Sequence, residues 1–218
     1  MEIALEALKQ RKSLVDQTYE ALLDAICAGA FAPGERLQQD DLAERLNVSR
    51  QPVNSAIAML RAQGFVEETG RRGVVVAEVN EKLFEAIYQF RSAVEPLAVD
   101  LATSRMTEES IRIGRDIIAR GRALVAANDT SSVIGVDMEF HTLLYDLSGN
   151  PIVSNTMYLN WRHLQRAMGP VLQLPGASLL VWNEHEAIFD AMVAGQSDQA
   201  ARLMRAHIVE AQARVLTG

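Results

Sequence analysis

Asn47-Val48-Ser49-Arg50-Gln51-Pro52-Val53-Asn54-Ser55-Ala56-Ile57 decides how this chain is read. The stretch predicts a turn followed by a short helix. Ser49 stands at the helix start, where its hydroxyl can accept an orphan backbone N–H. Pro52 falls in the first turn, where a missing N–H does little harm. Val53, Ala56, Ile57 and Leu60 recur at helical spacing and mark a buried stripe. The opposite face carries Arg50, Gln51, Asn54 and Ser55, side chains that hydrogen-bond through short or planar groups. A helix that buries one stripe and offers Arg, Gln and Asn at its first turn suits the major groove of DNA. An ordinary amphipathic surface helix would bury the same stripe, so the flanking segments must decide.

Upstream, Leu14 to Ala28 predicts a helix with Val15, Thr18, Tyr19, Leu22, Leu23 and Ile26 on one face, ended by Gly29. Ala32-Pro33-Gly34-Glu35-Arg36-Leu37 then reads as a turn entering a short extended piece. Gln39 to Leu46 is a second short helix with Leu42, Ala43 and Leu46 inward. The third helix runs to about Gln63 and stops at Gly64. Downstream the period changes. Phe65-Val66-Glu67-Glu68 and Gly73-Val74-Val75-Val76 predict two strands, with Thr69-Gly70-Arg71-Arg72 turning between them. Three helices and a hairpin in this order are the pattern of a winged helix-turn-helix, and Arg71 and Arg72 at the wing tip could reach phosphates or a minor groove.

Pro33-Gly34-Glu35-Arg36-Leu37, Leu42-Ala43-Glu44-Arg45-Leu46, Val48-Ser49-Arg50-Gln51-Pro52-Val53, Leu60-Arg61-Ala62-Gln63-Gly64-Phe65-Val66 and Arg72-Gly73-Val74 together resemble the DNA-binding domain of the GntR family of bacterial transcription regulators. The resemblance covers roughly residues 13–77. It implies DNA contacts by Arg36, Arg45 and Arg50, and a close approach of the wing at Gly73. With the residues read above, the expected DNA-binding set is Arg36, Arg45, Ser49, Arg50, Gln51, Asn54, Arg71, Arg72 and Gly73. One position departs from the family pattern: Asn54-Ser55 stands where Arg-Glu is usual. Asn can still read an adenine edge.

Bulk properties constrain the rest. Hydrophobic residues make up 49% of the 218 residues and aromatics 6%, which points to a soluble, helix-rich protein of one or two domains. There is no run of 18 apolar residues, and Met1 to Lys12 is charged, so neither a membrane span nor a signal peptide is expected. A single cysteine, Cys27, allows no internal disulfide and fits the cytoplasm. The net charge of −7 speaks at first against nucleic acid. From Arg45 to Arg72, however, five Arg face only Glu67 and Glu68, and a local basic surface can bind phosphate on an acidic protein.

Residues 1–77 therefore form the expected winged helix-turn-helix, residues 78–80 a link, and residues 81–218 a second domain. That second domain predicts helices only, over Glu81–Met106 (bent by Pro96), Thr107–Asn128, Thr130–Leu147, Ile152–Met168, Ser178–Ala194 and Asp198–Leu216. Gly169-Pro170 and Pro175-Gly176 punctuate the fourth and fifth. The fold class is mainly α: a winged helix-turn-helix followed by an antiparallel six-helix bundle.

The chemistry of the bundle lies in four histidines, His141, His163, His185 and His207, spaced 22 residues apart with no accompanying sequence repeat. Asp137 and His141 share one helix face, beside the apolar stripe Val133, Val136, Phe140, Leu144 and Leu147. An ionised Asp137 there needs a partner. His185 and His207 also fall on apolar faces. Three inward histidines and one aspartate from three helices are ligands suited to a divalent transition metal, Zn first and Ni, Mn or Fe as alternatives. Satisfied core histidines are the other reading.

Asp137-Met138-Glu139-Phe140-His141, Ser148-Gly149-Asn150, Glu184-His185-Glu186-Ala187-Ile188 and Gly195 through His207 resemble the FCD effector domain of the FadR subfamily, in its short, six-helix VanR-like branch. The resemblance implies metal ligation by Asp137, His141, His185 and His207, with a small carboxylate effector at the open positions. Arg91, in the pattern Phe90-Arg91-x-x-x-Glu95, is expected to pair with that carboxylate. The other reading is an Arg91–Glu95 helix pair worth a few tenths of a kcal/mol. Arg162 and His163 are further candidates for the effector pocket, or else packing residues.

The function expected is a homodimeric regulator, in most relatives a repressor, that binds a palindromic double-stranded operator under control of the effector. A constitutive DNA binder with a purely structural metal is one alternative. A metal-dependent hydrolase is another, weakened because Glu139 lies two residues from Asp137 and points elsewhere.

Overall fold

A computed structural model describes residues 12–70, 73–172 and 177–217 of the chain. It divides into two compact units between Glu78 and Val79. In the first, α1 (Leu14–Cys27) opens with a capping box in which Ser13 and Asp16 satisfy each other's backbone N–H groups. Short α2 (Gln39–Arg45) and α3 (Arg50–Ala62) follow. Tyr19, Leu22, Leu23 and Ile26 of α1 and Val53, Ala56, Ile57 and Leu60 of α3 are buried in one core, so the two apolar stripes are spent on each other. β1 (Val66–Thr69) and β2 (Gly73–Val76) form an antiparallel ribbon with Val66 opposite Val76 and Thr69 opposite Gly73. The extended piece after the Pro33-Gly34 turn joins this ribbon through a bridge from Arg36 to Val75.

Ser49 occupies the cap position of α3, yet its side chain makes no capping bond. A capping hydroxyl accepts from the second or third N–H of the helix, and Pro52, in third place, has none to give. Proline thus removes one of the two partners open to the cap that the sequence suggests, and the exposed Ser49 makes no bond to the other, at Gln51.

The second unit holds six helices among the described residues: α4 (Glu81–Thr103), α5 (Glu108–Ala126), α6 (Thr130–Ser148), α7 (Pro151–Leu172), α8 (Ala177–Val193) and α9 (Ser197–Thr217). Asn80, Thr107 and Asp129 cap the first three through their side chains, and Gly149, at φ +63°, closes α6 in the left-handed region. α4 packs against α6 and α9, and α8 against α5 and α9. Close approach of α5 to α8 depends on two glycines: a Cβ at Gly114 would overlap the Phe189 ring, and one at Gly121 the Trp182 ring. One expected boundary is wrong. α7 does not stop at Met168 but continues through Gly169 and Pro170 to Leu172. A proline this close to a helix end removes one backbone hydrogen bond without stopping the turn. Pro175-Gly176, Arg71, Arg72 and the chain before Lys12 lie outside the described residues.

Candidate metal centre and DNA-reading surface

In the helical unit, His141 of α6, His185 of α8 and His207 of α9 are all buried, and one ligand atom of each lies within 4.8 Å of the others. His185 Nε2 stands 3.3 Å from His207 Nε2 and 3.5 Å from Asp137 Oδ1. Asp137 is placed by the i, i+4 relation to His141 on α6, which turns both side chains toward α8 and α9. His185 is wedged between aromatic rings, stacked on Phe140 at 4.2 Å and edge-on to Trp182 at 5.0 Å.

Two of the three imidazoles are held by carboxylates. His141 Nδ1 donates to Glu95 Oε2 at 2.7 Å, and His207 Nδ1 donates to Glu184 Oε2 at 2.7 Å. Each bond makes Nδ1 the protonated nitrogen and leaves the Nε2 lone pair facing the cluster. Glu95 is fully buried and also receives Arg91 Nε at 2.5 Å and the Tyr145 hydroxyl at 2.8 Å. Trp161 Nε1 in turn donates to the Tyr145 oxygen at 3.0 Å. Arg91 lies 4.7 Å over the Trp161 ring, and its Nη2 is 3.5 Å from His141 Nε2. Glu184 is held from behind by Arg214.

Electrostatics follow from burial. Burial pushes the Asp137 carboxyl up, against the pull of His141, His207 and Arg91. Burial, then the neighbouring His207, His141 and Arg91, depresses His185 well below the ordinary imidazole value. Burial also lowers His207, although the bond to Glu184 opposes it. Burial alone would raise Glu95, but Arg91 and His141 outweigh it and hold the carboxylate ionised.

These groups fit a divalent cation. Imidazole nitrogens of His141, His185 and His207 crowd together beside a buried carboxylate oxygen, with only the long 3.5 Å contact from Arg91 Nη2 bringing a guanidinium donor to them. Among the described residues Asp137 Oδ1 has no hydrogen-bond partner although it is buried. Converging acceptors repel one another unless a cation lies among them.

The structure brings Arg91 into this cluster as half of a buried pair with Glu95, not as the exposed helix pair that spacing alone also allows. His163 is half-buried and outside the cluster, and Arg162 lies 5.4 Å over the ring of Tyr158 on its own helix. Glu139, on the outer face of α6, is exposed and paired with Arg120. Sequence reading missed Glu184 and Tyr145. Glu184 is adjacent to His185 yet serves His207, a relation that depends on how α8 meets α9.

In the first unit, Ser49, Arg50, Gln51 and Asn54 are exposed along the start of α3. Arg36, Arg50, Asp40, Glu68 and Gly73 line a groove of about 480 Å³ between this helix and the ribbon. Gly73, at φ +73°, takes a conformation few other residues tolerate, and the Arg36 side chain passes close by. Two basic side chains on this face have acidic neighbours that the sequence did not flag. Arg50 pairs with Asp40, and Arg45 lies 3.6 Å from Asp41.

A buried helix with an exposed polar first turn, beside a two-stranded wing, defines a DNA-binding transcription regulator. Residues 14–76 match the model of the bacterial regulatory proteins of the gntR family, and residues 86–210 match the FCD domain. The chain belongs to the GntR family, in its FCD-bearing, FadR-like subfamily. It is 28% identical over 194 residues to the HTH-type transcriptional regulator YdhC of Bacillus subtilis, covering 88% of this chain and 86% of that one. It is 26% identical over 219 residues to the HTH-type transcriptional repressor NanR of Cronobacter sakazakii, covering 91% and 84%. The fold is that of Escherichia coli McbR/YncC (TM-score 0.81, 20% identity, 95% of this chain and 99% of that one). A GntR regulator from Rhodococcus sp. RHA1 shares it (TM-score 0.80, 24% identity, 94% and 98%). Domains and relatives alike make this protein a regulator rather than an enzyme.

Proposed function

We propose that this regulator is a homodimeric repressor whose operator affinity is set by a small carboxylate, bound with a divalent metal in the helical domain. The observation that carries the reading is the convergence of His141, His185 and His207, with the unpartnered Asp137 Oδ1 3.5 Å from His185 Nε2. Asp137 and the three Nε2 atoms would hold the cation, with Zn the first choice for a three-imidazole, one-carboxylate set. A cation so bound supplies a Lewis-acid anchor for one carboxylate oxygen. The chain's own residues do the rest. Glu95 and Glu184 keep the imidazoles in the right tautomer, Trp161 and Tyr145 keep Glu95 in place, and Arg91 offers a guanidinium to the anion.

On DNA, Arg50, Gln51 and Asn54 read base edges, while Arg36, Arg45, Ser49 and the wing at Gly73, Arg71 and Arg72 hold the backbone. Repression is favoured by the NanR relatives, which are repressors. Pairing of two chains is favoured by α4, where Leu83, Phe90 and Leu97 recur every seven residues at 38%, 38% and 48% exposure. Such an apolar stripe on a charged surface is the mark of an interface, and a dimer matches a palindromic operator. Among the described residues no helix is long and apolar enough to cross a membrane, and a chromosomal target gives a cytoplasmic place of action.

The test is fluorescence anisotropy on DNA from the protein's own upstream region, with metal-loaded and chelator-stripped protein, against a panel of small carboxylates. Sequence-preferring binding that a carboxylate weakens only in the loaded protein supports the reading. Binding indifferent to every carboxylate leaves a constitutive regulator with a structural metal.

A further inference from the structure

Glu95 hydrogen-bonds both to a candidate metal ligand and to the candidate anion anchor. Its Oε2 accepts from His141 Nδ1 at 2.7 Å, and its Oε1 accepts from Arg91 Nε at 2.5 Å and from the Tyr145 hydroxyl at 2.8 Å. His185, by contrast, has no carboxylate behind it: among the described residues its Nδ1 has no hydrogen-bond partner. Support is therefore uneven, and on the α6 side it rests on a group that has a second duty.

From this geometry we infer that Glu95 is a positioning residue that couples the two halves of the site, so that a cation held by His141 and an anion held by Arg91 favour one another. The inference rests on the metal reading above. When the His141 Nε2 lone pair is engaged by a cation, its Nδ1–H becomes a stronger donor and draws Glu95 Oε2 toward the ring. Glu95 then has less negative charge to offer Arg91. The guanidinium, buried over Trp161 with Nη2 at 3.5 Å from His141 Nε2, also comes to face a cation. Both changes leave Arg91 in want of a counter-ion, and a carboxylate supplies it. Linkage makes the effect mutual: an anion on Arg91 releases Glu95 to His141 and tightens the hold on the cation. A merely structural Arg91–Glu95 pair would stabilise the fold and leave direct contact between anion and cation as the whole of the coupling.

The experiment uses the full chain and measures Zn(II) affinity by chelator competition, with and without acetate as the anion probe. Co(II) serves as a spectroscopic stand-in. The variants are Glu95→Gln, the double Arg91→Met/Glu95→Gln, and Tyr145→Phe, which keeps both charges. Expected for Glu95→Gln is Zn(II) binding weaker by about 10–100-fold, with a Co(II) ligand-field spectrum of unchanged shape, since the ligands remain. Acetate should tighten Zn(II) binding several-fold in the wild type and in Tyr145→Phe, and several-fold less in the double variant, where only direct contact between anion and cation remains. The double variant removes both buried charges together, so it keeps the test open if the single change unfolds the protein. Wild-type Zn(II) affinity in both Gln variants, or an acetate effect undiminished in the double, overturns the inference and leaves the metal reading intact. Wild-type protein that takes up neither Zn(II) nor Co(II) overturns the metal reading itself, and this inference with it.

Discussion

Asp137 Oδ1 lies 3.5 Å from His185 Nε2, and among the described residues neither that oxygen nor the ring's other nitrogen has a hydrogen-bond partner. A buried carboxylate oxygen without a partner costs the fold its full desolvation penalty, so something outside the chain must repay it. Asp137→Ala should therefore leave the stripped protein at least as heat-stable as the wild type while removing most of the stabilisation that added Zn(II) brings. Thermal melts with and without Zn(II) test this; a large loss of stability in the stripped variant would show that Asp137 is structural.

Acidity should act on the stripped protein through the histidines. Burial holds His185 and His207 below their ordinary value, so the folded state binds fewer protons than the unfolded one as pH falls below about 6.5. Their contribution is fully present above that value and is lost as pH falls toward the depressed folded values. Asp137, raised in the folded state, works in the opposite sense above its ordinary carboxylate range. We expect the melting temperature of stripped protein to fall between pH 7 and pH 5.5, and the fall to be blunted in His185→Phe.

On the DNA-reading face, Arg50→Ala should cost about 1–3 kcal/mol of operator binding and relax sequence preference. Asp40→Asn should do something different. It removes a charge that pairs with Arg50 and repels phosphate, so affinity should rise for all sequences, with a steeper dependence on salt. Titrations at several salt concentrations on operator and random DNA separate the two outcomes, and tighter binding confined to the operator would contradict this view of Asp40.

Phe90→Glu/Leu97→Glu places two like charges in the exposed α4 stripe. Sedimentation equilibrium should show the dimer weakened by at least tenfold, with circular dichroism unchanged. A variant as dimeric as the wild type would move the interface elsewhere.

Gly121→Ala would press a methyl group into the Trp182 ring, which stands edge-on to His185. Overpacking of this kind costs about 1–3 kcal/mol. Because Trp182 is displaced toward a candidate ligand, Zn(II) affinity should fall too, whereas Gly135→Ala, inside α6 with open space around it, should leave Zn(II) affinity unchanged and raise stability by about 0.5–1 kcal/mol.

The helices were legible because apolar spacing marks them locally; the caps at Asn80, Thr107 and Asp129 belong to the structure. Asp137 and His141 could be paired from sequence because one turn of helix joins them. The partners behind the ligands could not. Glu184 precedes His185 but bonds to His207, and Arg91 and Glu95 have the spacing of a surface pair yet are buried. Both facts depend on which helices touch, which no local pattern encodes. Ser49 shows the converse failure: a good capping residue makes no capping bond, with one of its two possible donors lost to a proline three positions on.

α4 carries Arg91 and Glu95 in its middle and begins at Glu81, just past the point where the chain divides. Ten residues of helix, about 15 Å of stiff rod, separate Glu81 from Arg91. Pro96 follows Glu95 directly and cannot bond back to Ser92, so the rod is weakest just beyond the charged pair. Between the charged pair and the boundary of the two units, the chain is therefore continuous helix except for Val79 and Asn80.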